Sequence, residues 1–164
     1  MNKINYGIDA PAIMWNLIIF GIIIPLIGFS IPYFSNNAIL KYIRFLVIFV
    51  GFILLILGTS MYVYGIKGKF KMRDFILGKI AWKGNESVLD IGTGRGIYMT
   101  GAAKHLISSK SIGIDIWRAE DLSGNNGANA YNNAVLENVR DKVEIKNEDA
   151  RKLNFQDNSC DIIL

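Results

Sequence analysis

The sequence predicts an α/β fold, in which a parallel sheet of strand order 3-2-1-4 follows an N-terminal hairpin of two transmembrane helices. The hairpin is predicted because residues 10–40 and 45–66 contain no charged side chain. The sheet is predicted because three short apolar strands, separated by helical segments, each end at an acidic residue. Right-handed crossovers then give the order 3-2-1-4, with a ligand over the gap between strands one and four.

The two uncharged runs are each long enough to cross a membrane, since about 20 residues span a hydrocarbon core of roughly 30 Å. The first predicted span, 11–33, contains Pro25 and Pro32, so we expect it to kink or to leave the bilayer near Pro32. The second predicted span, 45–66, contains no proline. A cleaved signal peptide is less favoured because the apolar core is too long. The missing charges over two full spans also disfavour a buried soluble hairpin.

Basic side chains predict the orientation of this hairpin. Four of them directly follow the second span, against two in the turn between the spans: Lys67, Lys69, Lys71 and Arg73 against Lys41 and Arg44. Positive charge marks the inner side of a membrane. We therefore expect a two-pass protein of the cell membrane with a cytoplasmic C-terminal domain.

Three domains follow from these patterns: a membrane hairpin over 1–66, a basic juxtamembrane linker over 67–73, and a soluble domain over 74–164. The linker is expected to contact the anionic headgroups of the lipid bilayer. The soluble domain has 11 Lys and Arg against 13 Asp and Glu. Its charge therefore gives no reason to expect a nucleic-acid partner.

A glycine-rich turn follows the first strand, within residues 88–96. Gly92, Gly94 and Gly96 accept positive φ and have no Cβ, so the backbone can approach a ligand at the strand's carboxyl end. Asp90 stands two places before the first glycine, where it would repel a pyrophosphate and attract a positive charge. The spacing therefore favours S-adenosylmethionine, a sulfonium with a free amino group, over NAD.

Two later carboxylates end the second and third predicted strands. Asp115 follows Asp90 by 25 residues, about the distance needed for a helix and a returning strand, and could accept from both ribose hydroxyls. Asp149 and Ala150 follow the third strand, 143–146, where a carboxylate could accept from an adenine amino group. Three acidic residues therefore fall at three strand ends.

In this order and spacing, residues 72–164 resemble the class I S-adenosylmethionine-dependent methyltransferases. The resemblance implies a Rossmann-like domain with S-adenosyl-L-methionine as its cofactor, and packing of Ile116 or Trp117 on the adenine ring. The full set of predicted cofactor-binding residues is Asp90, Gly92, Gly94, Gly96, Asp115, Ile116, Trp117, Asp149 and Ala150.

Residues 6–11 and 114–125 resemble a bacterial membrane-anchored subgroup of this family. Residues 161–164 are similar to the start of the family's fourth strand, after which relatives continue with the segment that builds much of the acceptor pocket. We therefore expect a C-terminally incomplete domain, either as a truncated product or with a second chain that completes the sheet. No general base is visible, so the catalytic residues are unknown, and no metal site is predicted.

The function that the resemblance implies is methyl transfer to an unidentified acceptor, with a lipid, quinone or membrane protein favoured by the anchor. Two alternatives stay open. One is a non-catalytic, membrane-anchored protein that binds S-adenosylmethionine. The other is a NAD-dependent oxidoreductase, since Asp115 would also suit an NAD ribose. Competition between S-adenosylmethionine and NAD for binding to the chain would test the oxidoreductase alternative.

The soluble domain is predicted to contain helices over 74–82, 95–106 and 128–139, with strands over 87–91 and 111–115. His105, the only histidine, is predicted near a helix C-terminus, where it most often interacts with the helix dipole. Cys160, the only cysteine, excludes an intrachain disulfide and is expected to fill a small apolar slot.

Overall fold

The computed structural model describes residues 3–32 and 37–164. Two long helices come first, and an α/β domain follows them. The helices are α1 (Pro11–Ser30), α2 (Ala38–Val63), α3 (Lys69–Leu77), α4 (Ile97–Ala103) and α5 (Gly127–Leu136), and the strands are β1 (Val88–Ile91), β2 (Ser111–Asp115), β3 (Val143–Asn147) and β4 (Ile162–Ile163). A π-helical turn, Tyr64–Gly68, joins α2 to α3, and a 3-10 turn, Arg140–Lys142, precedes β3.

Helix α1 and the continuous helix from Ala38 to Leu77 are, by length and composition, able to cross a membrane. Only 22% and 11% of their most apolar windows are buried. A core helix of a soluble protein would bury most of its apolar side chains. Helix α1 ends at Ser30, and the predicted end of the first span at residue 33 lies outside the described residues.

Helices α1 and α2 pack against each other through glycines. A Cβ built on Gly21 would lie 2.5 Å from the backbone nitrogen of Leu55, and one on Gly51 would lie 2.2 Å from Cδ of Pro25. Small residues at such contacts let two helix backbones approach closely in an apolar environment. Pro25 lies inside α1 and is buried in this contact rather than ending the helix.

Gly51→Ala is expected to lower the free energy of unfolding of the hairpin by about 1–3 kcal/mol, because the rigid Pro25 ring leaves no room for a methyl group. Gly65→Ala is the matched control, since its Cβ would meet Ile8 at an ordinary 3.5 Å. Denaturant titration in mixed micelles measures both. Equal stabilities of the two variants would contradict this packing.

The segment 67–73, predicted as a juxtamembrane linker, is helical. The π-helical turn and α3 continue α2 without a break. The buried residues Gly65, Lys69, Arg73 and Leu77 recur every four positions and form one face of this helix. That face packs on the rest of the protein, which keeps the chain helical and removes two of the four predicted surface charges from solvent. The helix predicted over 74–82 therefore begins earlier and ends at Leu77.

The sheet has the predicted order β3-β2-β1-β4, and every pairing is parallel. Strand β1 lies between β2 and β4, with Val88 opposite Ser111 and Ile162. The Val88 side chain of β1 packs against α3 and α4 in a core with Leu77, Ala102 and Leu106. Strand β2 has the predicted bounds, whereas α4 and α5 end three residues before their predicted ends.

Candidate functional site

A cavity of about 530 Å³ lies at the carboxyl ends of β1, β2 and β3. Parallel α/β sheets bind their ligands at this edge, and small-molecule sites have volumes of about 300–1,000 Å³. Six predicted site residues line the cavity: Gly92, Gly94, Asp115, Ile116, Asp149 and Ala150. The other lining residues are Asp9, Ile91, Ile114, Arg118, Asp121, Leu122, Asn125, Glu148 and Arg151.

The glycine turn between β1 and α4 has the predicted backbone geometry. Gly92, Gly94 and Gly96 have φ of 71°, 54° and 84°, in the left-handed region that favours glycine. A Cβ on Gly92 would meet no protein atom within 4 Å. Because Gly92 also lines the cavity, the missing side chain leaves space beside the backbone for a ligand. Gly96 lies behind the turn, where its Cβ would meet Cε of Met99 at 2.8 Å.

Asp90 lies beneath the turn and not in the cavity wall, with only 3% of its surface exposed. Its Oδ2 accepts hydrogen bonds from Thr93 Oγ1 at 2.6 Å and from the Met99 backbone nitrogen at 2.9 Å. Burial raises the pKa of the Asp90 carboxyl to about 6, with a smaller contribution from the charge of Asp115. The geometry therefore gives Asp90 the role of holding the turn and the start of α4.

Asp115 ends β2, and its carboxylate holds the backbone of the glycine turn and of the residues that follow β2. Its Oδ2 accepts from the Gly94 nitrogen at 2.8 Å, and its Oδ1 accepts from the Trp117 nitrogen at 2.6 Å. Each carboxylate oxygen has a further lone pair, so both can still accept from a ligand hydroxyl. Ile116 is 44% exposed and lines the cavity. Trp117 has a φ of 59° and its ring lies near Gly127, outside the lining.

The loop after β3 supplies two carboxylates with different surroundings. Arg151 donates to both carboxylate oxygens of Asp149, at 2.6 Å from Nη2 to Oδ2 and 3.0 Å from Nε to each oxygen. This guanidinium lowers the pKa of Asp149 to about 2. Within the described residues, the buried Oε2 of Glu148 has no hydrogen-bond partner. Glu148 is therefore a freer acceptor for a ligand amino group than the predicted Asp149.

A covering loop, residues 118–126, lies over the cavity and contributes Arg118, Asp121, Leu122 and Asn125 to its lining. Asn125 is 9% exposed, and its Nδ2 donates to the Arg118 carbonyl at 3.0 Å. Its buried Oδ1 accepts no hydrogen bond from any described residue. The sequence does not show that Asn125 Oδ1 and Glu148 Oε2 lack partners, because this depends on how the two loops fold.

His105 lies outside this cavity and stacks on Trp82, with ring centroids 4.9 Å apart and an angle of 6° between the rings. It follows α4, close to the predicted helix end. Cys160 is a free cysteine that is partly buried. Neither side chain belongs to the cavity lining.

The C-terminal part of the chain matches a known family. Residues 89–164 match the family described as Methyltransferase domain. Similar solved structures include the YcgJ protein of Bacillus subtilis (24% identity, TM-score 0.47), a SAM-dependent methyltransferase from Aquifex aeolicus (24%, 0.44), and a SAM-dependent methyltransferase from Thiobacillus denitrificans in complex with S-adenosyl-L-homocysteine (21%, 0.44). The matches cover 57%, 56% and 59% of this chain and 36%, 45% and 35% of those proteins.

This chain therefore spans less than half of the length of each of these structures. Comparison with curated protein sequences gives no match. The family match covers β1, the glycine turn, β2, β3 and β4, which are the elements that carry the cavity. Residues 89–164 of this chain thus match the methyltransferase domain family, and the glycine turn and Asp115 lie within the match.

Proposed function

We propose that the cavity binds S-adenosyl-L-methionine and that the chain serves methyl transfer to an acceptor at the membrane. The observation that carries the proposal is the position of Asp115, whose carboxylate lies in the cavity wall and holds the glycine turn through the Gly94 nitrogen. A ribose placed against Asp115 would have both hydroxyls within reach of a carboxylate. The family match to residues 89–164 supports the same cofactor.

The polar atoms of the cavity fit this cofactor. Glu148 Oε2 and Asn125 Oδ1 are buried acceptors without partners among the described residues, and leaving such atoms unpaired costs about 1–3 kcal/mol each. An adenine amino group and ribose hydroxyls are donors that would satisfy them. Ile116 offers an exposed apolar surface beside Asp115 on which an adenine ring can pack.

The cofactor supplies a methyl group on a sulfonium, and the acceptor's lone pair bonds to the methyl carbon as the carbon–sulfur bond breaks. The protein's contribution is to position the two reactants. The acceptor class that we propose is lipid-soluble, because Asp9, in the cavity wall, precedes the first residue of α1, Pro11, by only two positions. In this arrangement the domain faces the cytoplasm, where the cofactor is made.

Binding is tested by calorimetric titration of the detergent-solubilised chain with S-adenosylhomocysteine, with NADH as the control ligand. We expect micromolar affinity for S-adenosylhomocysteine alone. Preferential binding of NADH would instead support an oxidoreductase. Transfer is tested with methyl-labelled cofactor and the chain in vesicles made from a bacterial lipid extract. Label that partitions with the organic phase supports a lipid-soluble acceptor, and tight binding without any transfer supports a non-catalytic binding protein.

Asp115→Asn is expected to weaken S-adenosylhomocysteine binding by about 1–3 kcal/mol, because one acceptor oxygen and the charge are lost at the ribose. Asp141→Asn is the control, since Asp141 is exposed and lies outside the cavity. Calorimetry gives both affinities, and thermal unfolding shows whether each variant is folded. Unchanged affinity in a folded Asp115→Asn variant would remove Asp115 from the site.

A further inference from the structure

Residues 5–10, here called the N-terminal strap, cross the surface of the α/β domain before α1 begins. Asn5 and Asn133 exchange two hydrogen bonds, from the Asn5 nitrogen to Asn133 Oδ1 at 3.0 Å and from Asn133 Nδ2 to the Asn5 carbonyl at 2.9 Å. Tyr6 is 3% exposed, and its hydroxyl contacts Thr100 Oγ1 at 2.6 Å and Glu137 Oε1 at 2.9 Å. The strap is therefore anchored to α4 through Thr100, and to α5 through Asn133 and the residue that follows the helix, Glu137.

The other half of the strap pairs with the covering loop. The Ile8 nitrogen donates to Ser123 Oγ at 2.7 Å, the Ser123 nitrogen donates to the Ile8 carbonyl at 3.0 Å, and the Ala10 nitrogen donates to the Asp121 carbonyl at 2.9 Å. Asp9 forms an antiparallel bridge with Leu122 in the same stretch. These contacts fix the strap along the loop that closes the cavity.

Leu122 shows which end of the cavity the strap adjoins. A Cβ added to Gly7 would lie 2.9 Å from Cδ1 of Leu122. A Cβ added to Gly94 would lie 2.9 Å from Cδ2 of the same side chain. The strap is thus separated from the glycine turn by one leucine side chain. Along the sheet edge, the glycine turn, Asp115 and the loop after β3 follow in that order, and Leu122 places the strap beside the glycine turn.

Asp9 is the residue of the strap that lines the cavity. Its side chain is 58% exposed, and its Oδ2 lies 3.2 Å from Nζ of Lys69. Lys69 also donates to the carbonyls of Gly7 at 2.9 Å and Tyr6 at 3.3 Å. A buried lysine therefore holds the strap backbone and places the Asp9 carboxylate at the glycine-turn end of the cavity.

We propose that Asp9 is a cofactor-binding residue, whose carboxylate receives the positively charged methionyl end of S-adenosylmethionine. The proposal rests on the proposed function. With adenosine over Asp115 and the loop after β3, an extended cofactor places its other end at the glycine turn, beside Asp9. Asp90, the acidic residue expected there from the sequence, is buried under the turn and bonded to Thr93 and Met99. Asp9 supplies an exposed negative charge at that end of the cavity, next to the exposed Asp121 of the covering loop.

The test compares three ligands on the full chain in detergent by calorimetry: S-adenosylmethionine, S-adenosylhomocysteine and 5′-methylthioadenosine, which lacks the amino-acid portion. In Asp9→Asn, we expect S-adenosylmethionine binding to weaken by about 10- to 100-fold, the range for a hydrogen bond to a charged group. Binding of methylthioadenosine is expected to stay within about twofold of the wild type, a difference of under 0.5 kcal/mol. An equal loss for S-adenosylhomocysteine identifies the ammonium as the contacted group, and a loss confined to S-adenosylmethionine identifies the sulfonium.

Two results would overturn the proposal. If Asp9→Asn weakens all three ligands equally, Asp9 only neutralises Lys69 and shapes the strap. If it weakens none of them, Asp9 does not touch the cofactor. Asp157→Asn is the control, because Asp157 is an exposed carboxylate outside the cavity. Failure of the wild-type chain to bind any of the three ligands would count against the proposed function instead, so the two failures are distinguishable.

Discussion

Gly92→Ala is expected to reduce S-adenosylhomocysteine affinity at least 100-fold while the chain stays folded. The added methyl group would meet no protein atom within 4 Å, so the fold gains no internal clash. It would occupy cavity space beside the backbone, in the proposed cofactor site. Forcing alanine to a φ of 71° costs about 1–2 kcal/mol, which lowers stability by a similar amount. Calorimetry and thermal unfolding measure the two effects separately.

Gly84→Ala is the matched control for Gly92→Ala. Gly84 has a φ of 93°, so alanine suffers comparable backbone strain there. Its Cβ would meet only the Ile107 side chain, and Gly84 is outside the cavity lining. We expect Gly84→Ala to lose stability but to keep cofactor affinity. If both variants bind equally well, the cavity at the glycine turn is not the cofactor site.

Asp90→Asn is expected to flatten the dependence of stability on pH. The pKa of Asp90 is raised from 3.8 to about 6 by burial, so the folded state favours the protonated form. Its contribution to stability is therefore fully present below pH 3.8 and is lost as the pH rises through 6. That difference in pKa corresponds to about 3 kcal/mol at full ionisation. Asparagine carries no charge at any pH, and its amide oxygen can still accept from the Met99 nitrogen.

The measurement is the free energy of unfolding of cofactor-free wild type and Asp90→Asn at several pH values between 4 and 8. Relative to wild type, the variant should gain up to about 3 kcal/mol between the two ends of this range. If the asparagine NH₂ group lowers stability by the same amount at every pH, that amount cancels when the differences at pH 4 and pH 8 are compared. Parallel stability curves for the two proteins would show that Asp90 does not titrate in this range.

The sheet could be predicted from sequence because its signals are local. Apolar runs of four to five residues, the glycines between β1 and α4, and the acidic strand ends all lie within short stretches. The position of Asp90 could have been anticipated from the same kind of signal. Val88 and Asp90 point to the same face of β1, because side chains alternate along a strand, and that face packs under α4.

The strap and the buried face of α3 could not be predicted, because their contacts join residues far apart in sequence. Asn5 and Asn133 are 128 positions apart, and Lys69 lies 63 positions from the Tyr6 carbonyl that it contacts. A run of four basic residues ordinarily indicates a solvated surface. Lys69 and Arg73 are one helical turn apart, so they share a face of the helix. Asp9 of the strap lies opposite Lys69 and Glu137 lies opposite Arg73, and these contacts bury two of the four basic side chains.

Contacts of the strap make the apolar hairpin of α1 and α2, in topological terms, an insertion within the α/β domain. Residues 5–10 belong to the domain by their hydrogen bonds, the chain leaves it through α1, and it returns through the unbroken helix that ends at Leu77. Two covalent connections, at Ala10 and along α3, therefore join the domain to the hairpin. A domain on a single linker can rotate freely, whereas a domain connected at two points has a restricted orientation relative to helices α1 and α2. Residues 67–164 expressed without the strap would leave Thr100, Asn133 and Glu137 without these partners, so an excised domain is not a substitute for the intact chain.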